Sequence, residues 1–346
     1  MGLAARRTFR LSLTAALSLA CGYAFQLQVP YIVPMFAILL TVKPAPPPSL
    51  KSLLVIMVGV SAILGSGMLL IPWLEYYPFA AIMVIGLGIY ASFRISLIQG
   101  NEILGHFLAT GLVLVTAAGS VSSIIALVVI ESMVIGIGLA VLCQWLVYPF
   151  FKEEADSVDS KQEKEPSEAK AMWPAIRATL IVLPTYLMVL TNPGVYLPLV
   201  LKSIALGQQS SLMGMRNAGR ELLGATIVGG VLAVLFWWLL GLSVSLWMFF
   251  LWALLFFTFF AAKIYGVLES RFPASFWQSV ATTLVILLGS AVMDSENGKD
   301  VYQAFATRIS LFVAVTAYAW LAVVFLEKKF SKNESLPAEE MGSAPC

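Results

Sequence analysis

Residues 11–150 and 175–326 are two almost unbroken apolar tracts, and between them the chain reads KEEADSVDSKQEKEPSEAK from Lys152 to Lys170. The middle stretch holds eleven charged side chains and nothing apolar larger than Val158. A segment of that kind buries too little surface to offset the entropy of ordering, so it reads as a solvated linker. Its position cuts the chain into two halves. Across all 346 residues, 60% are hydrophobic and only 12% are charged, against about half and a quarter in soluble domains. Backbone groups inside a bilayer must pair within the protein, which leaves helices or closed barrels. The apolar runs lack the alternation of barrel strands, so the expectation is an all-α polytopic membrane protein.

A span needs about 20 apolar residues. The first half offers Leu11–Gln28, Tyr31–Val42, Leu53–Leu74, Phe79–Phe93, Ile103–Ala118 and Val121–Phe150. The second offers Ala175–Thr191, Val195–Leu206, Leu222–Leu240, Val244–Ala262, Ser275–Met293 and Gln303–Leu326. The expected organisation is therefore a six-span repeat over 1–151, a cytoplasmic linker over 152–172, a second six-span repeat over 173–330, and a tail over 331–346. The second and eighth spans are short, and each carries proline near its start: Pro30 and Pro34, then Pro193 and Pro198. Short, proline-interrupted segments at matching places in two repeats mark the substrate site in many transporters, so Pro34 and Pro198 become candidate framing residues.

Basic residues set the orientation. With the N-terminus inside, Lys43, Lys51, Arg94, Lys202, Lys263, Arg271 and Lys328 all fall on the inner side. The outer loops then hold Glu75, Asp294, Glu296 and Asp300, with Lys299 as their base. This is the positive-inside pattern, and it places both termini and the linker in the cytoplasm. Two halves with an even number of spans share one orientation and form a parallel repeat. Matching positions recur in the same order: Arg10 with Arg177, Pro34 with Pro198, Lys51 with Arg220, Arg94 with Lys263, and His106–Leu114 with Gln278–Ile286.

Ionisable residues within spans are costly and point to function. Glu102 and His106, four residues apart, share a helix face, and a carboxylate beside an imidazole suits proton relay. Glu131 and Arg308 each lie 21 residues before a cytoplasmic lysine (Lys152, Lys329), about 31 Å along a helix. Equal depth in two related halves leads to the expectation of a Glu131–Arg308 ion pair. Arg216 and Arg220 precede the ninth span in a glycine-rich setting and suit a carboxylate ligand, or simple anchoring.

Other chemistry is poorly represented. There is no phosphate-binding loop, HExxH or GxSxG, and Cys21, Cys143 and Cys346 have no metal spacing. The single histidine excludes a His-rich metal or haem site. Neither enzyme activity, nor a cofactor, nor a metal is expected, and a net charge of +2 gives no footprint for nucleic acid. The expected partners are membrane lipid and a small organic anion, with homo-oligomer formation left open.

Several stretches resemble the fusaric-acid-resistance-type family, within the aromatic acid exporter superfamily. They are the helix opening at Arg10, Val33-Pro34-Met35-Phe36, the loop Lys43–Pro48, and Arg216 with Gly219-Arg220-Glu221-Leu222-Leu223-Gly224. The likeness runs over residues 5–330 and is closest to a short bacterial branch with two six-span halves. The resemblance implies an inner-membrane exporter of aromatic carboxylic acids, a periplasmic membrane-fusion partner, and substrate arginines at Arg220 and Arg216. Family members usually carry a large cytoplasmic domain, whereas here only the short linker and the tail Ser331–Cys346 are expected to be exposed. Taken together, the expectation is a proton-coupled exporter of small organic anions. The alternative is a non-transporting scaffold or assembly component of an envelope complex.

Overall fold

The computed structural model describes residues 2–43, 45–99, 102–153, 168–212, 215–296, 298 and 300–334. The side chains of 102–104, 168–170, 194, 195, 209–212, 215–220, 323 and 325–334 lie outside that description. Every regular element among the described residues is helical. In the first half these are α1 (Leu3–Ala24), α2 (Ile32–Val42), α3 (Leu50–Met68), α4 (Ile71–Tyr76), α5 (Pro78–Gln99) and α6 (Glu102–Thr110). A π turn (Gly111–Val115) leads on to α7 (Thr116–Gly119) and α8 (Ser123–Val147). The second half holds α9 (Glu168–Thr191), α10 (Pro193–Leu212), α11 (Met215–Leu240), α12 (Leu246–Ile264), α13 (Ala274–Glu296) and α14 (Val301–Glu334).

Serine and aspartate set several starts. The Ser49, Ser122 and Ser245 hydroxyls accept from the backbone N–H of Ser52, Ile124 and Met248, satisfying first-turn donors of α3, α8 and α12. The Asp300 carboxylate accepts from Tyr302 N at 3.0 Å and opens α14.

Eight helices are long and apolar enough to cross a membrane, which makes this an all-α polytopic membrane protein. The four other expected spans divide into two kinds. The segments α2 and Gly105–Gly119 are apolar but short. Both α1 and α10 have the length, with more polar sequence. Large apolar side chains cover the outward faces, among them Val55, Val58, Leu87, Leu142 and Leu255, as contact with lipid requires.

Three expectations about boundaries change. The eighth span is not short: α10 runs for 20 residues, and Pro198 sits inside it as a lost backbone bond rather than a break. Helix α9 begins at Glu168, within the stretch expected to be linker, whose residues 154–167 lie outside the described ones. Helix α14 continues past the expected end of the repeat to Glu334, and the tail from 335 on is outside the description.

The halves interlock. Helix α1 packs on α12 of the other half, and α9 packs in the same way on α5. The short helix α2 meets α13, and α10 meets α6. Cross-half contacts thus come in matched pairs, and a continuous buried core runs through both halves.

Candidate functional site

A cavity of 430 Å³ opens where the halves meet. The first half supplies Gln28 and Val29 after α1, Tyr31 and Ile32 at the head of α2, and Leu114 of the π turn. It also supplies Val128 and Val129 of α8. From the second half come Leu197, Pro198 and Leu201 of α10, Ser290 and Asp294 of α13, and Arg308 of α14. The wall is mainly aliphatic with a few convergent polar groups, the usual make-up of a small-molecule site.

The strongest of those groups is an ion pair, Arg308 Nη1 to Asp294 Oδ2 at 2.5 Å. The side chains are only 13% and 6% exposed, so both charges have left water. Ser290 and Asp294 are four apart and share the cavity face of α13. Close helix approach brings Tyr31 to the same wall. A Cβ built on Gly289 would lie 2.2 Å from Tyr31 Cβ, so only glycine admits the ring there.

The expected partner of Arg308 is therefore replaced. Glu131 is exposed, on the same outward stripe as Leu127 and Ile135, whereas Val128 and Val129 face the cavity. Spacing along a helix sets depth, but depth does not fix the face. Helix α14 packs on α13, which presents Asp294, while α8 packs on α1, α2 and α3. Asp294, assigned from sequence to an outer loop, is buried in α13.

The two prolines also part company. Pro198 lines the cavity, and Pro34 is buried in the first turn of α2 away from that wall. His106 is buried, with Nδ1 3.1 Å from Oε1 of Gln208 on α10. With Nδ1 donating, Nε2 is left as an acceptor with no partner among the described residues. The imidazole thus bridges the halves. Glu102 opens α6, but its side chain is outside the described residues, and the expected Glu102–His106 contact falls there. Arg216 and Arg220 lie in the first two turns of α11, with side chains likewise outside the description.

Sequence reading missed one group outright. Lys202, taken as an inner-side anchor, is 1% exposed inside the bundle. Its Nζ donates to Thr283 Oγ1 at 2.6 Å and to Ser279 Oγ at 3.3 Å. The signal was available: Lys202 lies four residues after Pro198, inside an apolar run.

At the far ends of α1 and α8 the chain is tied shut. Arg7 Nε donates to Glu153 Oε1 at 2.6 Å, and Arg10 Nη1 to Glu153 Oε2 at 2.7 Å. The Arg10 guanidinium also sits 5.9 Å from the centre of the Tyr148 ring. Nearby, Gln144 Nε2 donates to Thr41 Oγ1 at 2.6 Å, and the Tyr265 hydroxyl donates to Val42 O at 2.9 Å. Glu153, counted from sequence with the solvated linker, is instead enclosed between two arginines. Burial acts to raise its pKa, but the Arg7 and Arg10 hydrogen bonds outweigh that and hold the carboxyl below the usual range. Burial pushes the Tyr265 phenol up to about 12, so it stays a donor.

Residues 7–147 match a family of proteins of unknown function, DUF2955. No curated protein and no solved structure matches the chain. The matched region takes in Arg7, Arg10, Tyr31 and His106, and stops short of Lys202, Asp294 and Arg308. The family match therefore names no chemistry for the cavity.

Proposed function

We propose that this chain is a secondary transporter of the bacterial inner membrane that exports small organic anions, chiefly aromatic carboxylic acids, in exchange for protons. Both chain ends and the linker lie on the cytoplasmic side in this reading, supported by the distribution of lysine and arginine. The observation that carries the proposal is the cavity between the halves, with Arg308 in its wall held by Asp294. Its 430 Å³ falls within the roughly 300–1,000 Å³ of small-molecule sites.

The chemistry follows from that pair. A ligand carboxylate offers Arg308 the same planar fork of acceptors that Asp294 does, so it competes for the guanidinium. Leu197, Leu201 and Ile32 give an apolar surface for a ring. Opposite the cavity, the Arg7–Arg10–Glu153 cluster closes the linker end. A site open at one end and tied at the other is one of the two states that alternating access requires. Proton coupling is the simplest energy source for a chain with no nucleotide-binding motif. Arg216 and Arg220 would draw anions toward the linker side, and His106 between the halves is placed to respond to their movement.

The test is uptake of radiolabelled benzoate into proteoliposomes under an imposed pH gradient. Wild-type protein is expected to accumulate benzoate above empty liposomes, and Arg308→Gln to abolish the difference. Equal uptake by protein-loaded and empty liposomes across a panel of aromatic acids would overturn the substrate class.

A further inference from the structure

A lysine sealed among helices needs a reason, and the two halves supply a control. Aligning Pro34 with Pro198 puts Ile38 where the second half has Lys202. Aligning His106 with Gln278 puts Phe107 and Gly111 where it has Ser279 and Thr283. The first-half trio is buried and wholly apolar, with Ile38 2% and Phe107 3% exposed. The same helix frame is thus filled once without any polar group. Packing does not demand the amine.

The surroundings of Lys202 narrow its role. Its partners are two hydroxyls, with no carboxylate beside it among the described residues. Thr283 Oγ1 itself donates to Ser279 O at 2.6 Å, which leaves its oxygen free to accept from the amine. Pro198, one turn earlier on α10, lines the cavity, and so does the adjacent Leu201. On α13, Thr283 lies seven residues, about 10 Å, before the cavity residue Ser290. An enclosed group just beneath the cavity, held by two hydroxyls, suits a ligand no larger than a proton.

Among the described side chains, titratable groups on the elements packed against α10 are placed elsewhere. His106 of α6 is bonded to Gln208. Tyr186 of α9 is 3.0 Å from Thr116 Oγ1, and Arg177, six residues after Ala171 where the apolar part of α9 starts, makes no hydrogen bond with Lys202. Asp294 of α13 and Arg308 of α14 hold each other. The other described groups, Glu296 of α13 with Tyr302 and Tyr318 of α14, lie at the outer end of the bundle or bond elsewhere, as Tyr318 does to Leu180 O.

We propose that Lys202 is the proton-carrying group of the transport cycle. A proton from water adds to the Nζ lone pair when the amine is reached from one side, and the same N–H bond breaks to return it to water on the other. No electrons are exchanged. Charge on the amine disfavours the closed packing against Ser279 and Thr283, so protonation and the opening of the α10–α13 seam are linked. This rests on the transport reading above and names its coupling residue.

The experiment compares wild type, Lys202→Met and Lys202→Arg as full-length protein. In proteoliposomes carrying a pH-sensitive dye, benzoate should drive a change of internal pH for wild type and none for Lys202→Met. Benzoate-for-benzoate exchange should fall far less than pH-driven accumulation. Equal loss of both, with a thermal midpoint lowered by several degrees, would make Lys202 a structural residue and overturn the proposal. Should wild type move no benzoate, the substrate class fails, and the thermal midpoints of wild type and Lys202→Met across about pH 6 to 10 still decide the proton site. A gap between the two midpoints that changes with pH supports it, and a gap constant with pH overturns it.

Discussion

The two ends of the bundle hold their charges differently. At the linker end, one carboxylate, Glu153, serves two guanidiniums, Arg7 and Arg10, and neighbouring polar bonds tie α2, α8 and the end of α12 together. At the other end, Asp294 holds Arg308 beside an open cavity. The first ionic cluster comes from the first half and the second from the other half, although the helices pair in matched fashion. Backbone symmetry sets where the helices go, and side-chain asymmetry decides which end is a lock and which is a receptacle.

Breaking the pair at the cavity should have the largest effect. Asp294→Asn leaves Arg308 uncompensated and is expected to cost about 3–5 kcal/mol, read as a lowered thermal midpoint in detergent. A double Asp294→Leu, Arg308→Met variant should recover most of that stability and none of the benzoate uptake. Recovery of uptake would show that the pair is scaffolding. Gly289→Val comes next. It forces Tyr31 out of the wall, with an expected loss of about 1–3 kcal/mol and reduced uptake.

The linker end should respond to acid. The Glu153 carboxyl is held below its unfolded value, so its contribution is present at neutral pH and is lost as pH falls through the ordinary carboxylate range, near 4.3, and below it. Wild type should therefore lose roughly 2–4 °C of thermal midpoint on acidification that Glu153→Gln does not lose. Parallel curves would remove the cluster from the account. The smallest effect is expected from the interhelical hydroxyl pair Thr226–Thr316, 3.2 Å apart between α11 and α14. A double-mutant cycle to valine should return a coupling of about 0.6 kcal/mol, typical of hydrogen bonds between membrane helices.

Much of the architecture could be read from the residues. Long apolar runs give the spanning helices directly, because lipid forces each segment to satisfy its own backbone. The prolines marked α2 and α10 as unusual, and Pro198 does reach the cavity. Pro198 did not shorten α10, however, since one missing backbone bond is tolerated where neighbouring helices hold both flanks. The site was harder to see. Arg308 was found because a charge inside an apolar run is conspicuous, yet its partner was not, because Asp294 sits at the last turn of α13 where a loop residue would look the same. Lys202 was missed because the eighth span was expected to end at Leu206, which put the lysine near the headgroups; α10 runs on to Leu212 and leaves it mid-helix. Glu153 was hidden by the charged stretch that follows it.

The seating of α1 against α12 has a consequence for biogenesis. Helix α1 is made before α12, and the α12 surface that covers it follows more than 200 residues later. Until α12 arrives, Tyr23 of α1 lacks the Phe249 ring that meets it edge-on at 5.1 Å, and that face is left to lipid or an insertion factor. The first half made alone would lack that cover, so the two halves are expected to mature as one unit, and a chain cut in the linker to work only when both pieces are made together.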